Sequence, residues 1–173
     1  MAQQNEEAID EIDAISTVAL LIDDLSSEDP NAKLHSIQRL SQIAQLLGPA
    51  RCIDELLPML TDLIDKIDSN PELMMCLAIE LGKLPDYLAE KNDNVSRQAN
   101  AVHLLKPLEL IVACDDSVVR QKTVESLCSV SEILNDNLVN TAFLEMCRRL
   151  KKGDLFSKRI AACQLYAHVY GRL

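Results

Sequence analysis

Asp116-Ser117-Val118-Val119-Arg120-Gln121-Lys122-Thr123-Val124-Glu125-Ser126-Leu127 is the stretch that decides the fold. It opens on a turn residue, places a cation four positions later, and sets apolar residues eight and eleven positions later. The same order recurs around Asp29, Asn70 and Asp154. Four positions after these anchors come Lys33, Met74, Arg120 and Lys158. Eight positions after come Ile37, Ala78, Val124 and Ala162, and eleven after come Leu40, Leu81, Leu127 and Leu165. Positions eight and eleven share one helix face. The anchors lie 41, 46 and 38 residues apart, a period with room for two helices. A helix pair repeated about every 40 residues is the signature of HEAT and armadillo arrays, in which stacked pairs bury what one pair alone leaves exposed.

Working outward, helical periodicity runs through Ile15, Val18, Ile22 and Leu25, and stops in the turn-rich Ser26 to Asn31. A partner helix follows to Leu47 and ends at Gly48-Pro49. The next helix spans Cys52 to Ile67, with Pro58 predicting a kink or a late start. Asn70-Pro71 reads as a cap and first helical residue, and the helix it opens is expected to stop at Gly82. Lys83 to Val95 reads as a long irregular connection, and a third pair is expected from about Gln98 to Ile133. A fourth runs from Leu138 to Tyr170, turning at Gly153-Asp154. The expected organisation is an acidic tail (1–13) followed by an array at 14–173, with repeats near 14–48, 50–83, 96–134 and 137–171. The fold class is all-α, a right-handed α-solenoid of about four HEAT-type hairpins. Ala161, Leu165 and Tyr166 leave the last helix without a polar cap, so the chain is expected to be the front end of a longer array.

Composition narrows the function. The 173 residues carry a net charge of −10, which disfavours contact with a phosphate backbone. No run approaches the roughly 18 apolar residues of a membrane span, and Met1 to Asp13 lacks a secretory h-region. The expected partners therefore include neither nucleic acid nor membrane. The six Cys contain no C-x-x-C pair, and His35, His103 and His168 are far apart, so no metal site and no cofactor is expected. Free thiols without a signal point to a reducing compartment. No nucleophile elbow, P-loop or dinucleotide fingerprint is present, and the chain reads as no enzyme.

The ordered stretches Ala19-Leu20-Leu21-Ile22-Asp23-Asp24-Leu25, Ser36-Ile37-Gln38-Arg39-Leu40-Ser41-Gln42-Ile43-Ala44, Glu55-Leu56-Leu57-Pro58-Met59-Leu60-Thr61-Asp62, Val118 to Leu127 and Gly153 to Cys163 resemble the N-terminal repeats of the scaffolding A subunits of protein phosphatase 2A. The resemblance implies a non-catalytic scaffold built as a horseshoe of about fifteen repeats. It implies that a phosphatase regulatory subunit sits on the intra-repeat turns. The catalytic subunit would be held only through repeats missing from this chain. By position, the implied protein-binding residues are Asp29, Asn31, Asn70, Glu72, Asp115, Asp116, Arg120, Leu155 and Phe156. The family usually carries Trp where this chain has Leu155, and its connection at 83–106 is usually shorter. The implied location is the cytoplasm, with the nucleus as a second compartment. The alternative is a HEAT or armadillo adaptor for transport or cytoskeletal assemblies.

Read without the resemblance, the same residues have simpler roles. Adjacent Asp115 and Asp116 suit a helix cap, and the cation at position four suits a ladder with the turn carboxylates.

Overall fold

A computed structural model describes residues 16–172; the expected acidic tail lies outside them. All regular structure among the described residues is helical. The first pair is α1 (16–26) and α2 (Pro30–Ile37), the latter prolonged by α3 (Leu40–Leu47) after a break at Gln38 and Arg39. Gly48 ends it at φ 78°, in the left-handed region that costs glycine least. The second pair is α4 (49–67) and α5 (Pro71–Lys83). The third is α6 (94–111) and α7 (Ser117–Ile133), and the fourth is α8 (136–151) and α9 (Phe156–Val169).

The helices form two rows. Along one row α4 packs on α6 and α6 on α8; along the other, α2 packs on α5, α5 on α7 and α7 on α9. The core runs between the rows. Leu40, Leu81, Leu127 and Leu165, the shared position of the register, are all fully buried. Each such leucine contributes about 2–3 kcal/mol through the apolar surface it removes from water. Ile37, Ala78, Val124 and Ala162 are buried beside them, so the register places one continuous seam.

Most second-row helices start on a side-chain cap. Asp29 accepts from Asn31 N, Asn70 from Leu73 N, and Asp116 from both Val118 N and Val119 N. Each satisfies backbone donors that a helix N-terminus leaves open.

Three local expectations need correction. The second pair opens at Pro49, ahead of Cys52, and accommodates Pro58 without a late start. Leu57 N reaches back to Cys52 O in a π-turn over Cys52–Leu56. A proline without N–H withdraws one intrahelical donor there, and the wider turn absorbs the mismatch. Gly82 does not end its helix; α5 continues one residue further to Lys83, and the missing Cβ at Gly82 allows a close approach to α7. The connection after it is shorter than expected. Leu84–Tyr87 forms a 3₁₀ turn whose Leu84 and Pro85 are buried, and α6 restarts at Asn94, capped by Asp93 through Ser96 N.

The thiols vary in exposure. Cys52 and Cys147 are buried, Cys76, Cys114 and Cys128 half-buried, and Cys163 exposed.

Candidate functional site

The turns inside the four hairpins lie at one edge of the two rows, where first-row helices end and second-row helices begin. That edge is a ridge of four turns: Ser27 to Asp29, Asp68 to Asn70, Ala113 to Asp116, and Lys152 to Leu155. Asp29, Asn31, Glu72, Asp115, Leu155 and Phe156 are exposed on it, while Asn70, Asp116 and Arg120 are half-buried.

The side chains divide by task. Asp29, Asn70 and Asp116 are engaged as caps. Asp115 is free of that duty and reaches the next turn, where Ser157 Oγ lies 3.5 Å from its Oδ1. Among the described residues Arg120 pairs with no carboxylate. Its Nη1 donates to Cys114 O at 3.4 Å and Asp115 O at 3.3 Å, closing off carbonyls at the end of α6. Arg159 does the same one turn later, donating to Gly153 O at 3.0 Å and Asp154 O at 2.7 Å. Among the described residues the expected ladder of cations and turn carboxylates does not form; Arg120 of the register, and Arg159 one position past it, sit on backbone carbonyls instead. Among the described residues no ion pair joins Lys33, Arg120 or Lys158 to a turn Asp. The physical reason is reach: a guanidinium one turn into a helix meets the carbonyls of the preceding turn first, and these are partially negative.

Two kinds of surface alternate along the ridge. Between the second and third turns lies a cleft of about 450 Å³. Its apolar lining includes Ile64, Met74 and Leu110, and its acidic lining is Asp65, Asp68, Asp115 and Asp116. At the third and fourth turns the surface becomes apolar. Val118 is 57% exposed, Leu155 45% and Phe156 70%. The Arg159 guanidinium stands 5.8 Å from the Phe156 ring centroid, within cation–π range.

The structure thus brings Asn70, Asp115 and Asp116 to the neighbouring turns that border the cleft, and links Asp115 to the fourth turn beside Leu155 and Phe156. Asp29 and Asn31 stay on the first turn, on the same edge but away from the cleft lining. Sequence reading missed Asp65, Asp68, Val118 and Arg159. The spacing of Asp65 and Asp68 places both on one helix face, which was the available signal. No three His, Cys, Asp or Glu among the described residues lie close enough to hold a metal ion.

Comparison with known proteins gives one consistent answer. No family model matches the chain. The chain is 38% identical over 169 residues to a probable serine/threonine-protein phosphatase PP2A regulatory subunit of Caenorhabditis elegans, covering 97% of this chain and 26% of that protein. It is 35% identical over 162 residues to the protein phosphatase 2A scaffold subunit of Dictyostelium discoideum, covering 94% of this chain and 26% of that protein. It is 37% identical over 160 residues to the beta isoform of the human 65 kDa regulatory (A-type) subunit of serine/threonine-protein phosphatase 2A, covering 92% and 25%. The chain spans about a quarter of the length of these relatives.

Proposed function

Since this chain belongs with the scaffolding A subunits of protein phosphatase 2A, we propose that it is a non-catalytic scaffold segment, the N-terminal part of the array. Its ridge of hairpin turns receives a regulatory subunit, and the catalytic subunit is held by helix pairs outside this chain. The observation that carries the reading is the exposed apolar step of Val118, Leu155 and Phe156, set on the same edge as the turn carboxylates. Side chains of that size left in water on a helical ridge are the anchors a protein partner covers. Leu155 supplies less apolar area than an aromatic would, so Phe156 carries the greater share in this chain. Residence in the cytoplasm, with the nucleus as a second compartment, belongs to the same proposal.

The repeat organisation is part of the proposal too. The pairs 16–47, 49–83, 94–133 and 136–169 act as four successive units, each packed on the next. No helix among the described residues is long and apolar enough to cross a membrane. Nothing in the structure favours a transport or cytoskeletal adaptor.

The test is co-purification of the chain with phosphatase regulatory subunits and, separately, with the catalytic subunit. Capture of a regulatory subunit is expected, with no stable capture of the catalytic subunit. Phe156→Ala is expected to weaken regulatory-subunit binding by more than about 1 kcal/mol, roughly fivefold or more. No capture of any regulatory subunit, even after extension to seven or more repeats, would overturn the proposal.

A further inference from the structure

We propose that the cleft between the second and third turns receives a cationic side chain, an arginine, presented by the protein partner. The inference deepens the scaffold reading and rests on it for the source of the cation.

Three observations carry it. The first is charge. Asp65, Asp68, Asp115 and Asp116 line the cleft, and none of the lining residues is cationic. Arg120 lies nearby but is committed to Cys114 O and Asp115 O. Four carboxylates against one guanidinium leave the opening net negative, within a chain of net charge −10. The carbonyl ends of α4 and α6 meet the amide ends of α5 and α7 at this edge and offset each other, so the carboxylates set the potential.

The second observation is that two carboxylates are uncommitted. Asp116 is held by the amides of Val118 and Val119, and Asp115 by Ser157. The side chains of Asp65 and Asp68 make no hydrogen bond or ion pair with any described residue, and both residues are exposed. They are placed to accept from a donor that enters from outside.

The third is the floor. Buried Ile64 and Met74 and half-buried Leu110 and Ala113 line the cleft, whereas Asp65 and Asp68 are exposed. A long cationic side chain can lay its methylene stem on such a floor while its head meets acids at the rim. A planar, weakly hydrated guanidinium suits an apolar floor better than a compact ammonium, and its fork can bridge two carboxylates. A metal ion does not fit, because no three acidic groups converge among the described residues.

The experiment is an NMR titration of the intact chain with N-acetyl-arginine amide, and in parallel with its neutral isostere N-acetyl-citrulline amide. The arginine probe is expected to shift the Met74 methyl and the amides of Ala113 and Cys114, and to bind about threefold to tenfold more tightly than the citrulline probe. Raising the salt should narrow the difference. In the double variant Asp65→Asn with Asp68→Asn, whose side chains hold no structural contact, the preference should vanish. Equal shifts with both probes, or a preference that survives the double variant, would overturn the proposal. Capture of a regulatory subunit by the wild-type chain and by the double variant separates the two readings. Equal capture with no probe preference removes the cleft proposal and leaves the scaffold standing. Probe preference with no capture does the reverse.

Discussion

A Cβ added to Gly82 would lie 2.8 Å from Ser126 Oγ and 2.9 Å from Ser126 Cβ. The two residues mark a close approach of α5 and α7, at the joint between the second and third hairpins. Alanine at a helix-interior glycine normally gains about 1 kcal/mol. Here the approach of Ser126 backbone Cα, at 3.3 Å from the added carbon, prevents relief by a side-chain rotation alone. Gly82→Ala is expected to destabilise the chain by about 1–3 kcal/mol, and Gly82→Ala with Ser126→Gly to recover part of the loss. Urea denaturation followed by circular dichroism measures both, and a stabilised single variant would refute the close-packing account.

The third and fourth hairpins are joined on their other row by Arg149 and Glu109. Arg149 Nε donates to Glu109 Oε1 at 2.9 Å and Nη2 to Oε2 at 2.7 Å, a two-pronged pair 40 residues apart in sequence. Glu109 is only 15% exposed at its side chain, whereas Arg149 is 53% exposed, so solvent screens the pair in part. A double-mutant cycle through Arg149→Ala and Glu109→Ala should give a coupling of about 0.5–1 kcal/mol. A coupling indistinguishable from zero would make the contact incidental.

Adjacent Asp115 and Asp116 should behave differently. Asp116 satisfies two amides at the start of α7, so Asp116→Ala is expected to cost about 1 kcal/mol. Asp115→Ala removes one long contact to Ser157 and should stay within about 0.5 kcal/mol. Equal losses in thermal or chemical denaturation would contradict the division of roles.

The thiols offer a test that needs no substitution. Burial pushes the Cys147 thiol up to about 12 and the Cys52 thiol up to about 11, whereas Cys163 stands exposed. Iodoacetamide at mildly alkaline pH should modify Cys163 rapidly and reach Cys52 and Cys147 only on unfolding. The sign of the pH effect follows. The folded thiols resist ionisation that the unfolded chain undergoes near 9.0, so stability is intact below that pH. It should fall as pH rises from about 9 towards the raised folded values near 11 and 12. Peptide mapping after labelling, and melts between pH 8 and about 11, would report each outcome.

The seam of the fold was legible because it is local. Turn residues such as Asp116 and Asn70 announce helix starts, and Leu127 or Leu81 follows at a distance fixed by helical geometry. Gly82 misled because its glycine is explained by Ser126, 44 positions away, and no local pattern reveals a crossing partner. The start at Asn94 was hidden in a polar stretch whose cap, Asp93, looks like any loop acid. At the ridge, the capping of Asp116 could be read from its neighbours. The cleft could not: Asp65 and Asp68 lie on one helix face, but only the stacking of α4 against α6 sets Asp115 opposite them.

The ridge is made of helix ends, and this gives it the character of a gauge. The cleft belongs to the joint between the second and third hairpins, and Phe156 to the joint after it. A partner that fills the first and covers the second spans the pitch of the stack over successive intervals. A small change in spacing at Gly82 and Ser126 would widen or narrow the cleft and move it against Phe156, so binding would register the curvature of the array as well as its surface.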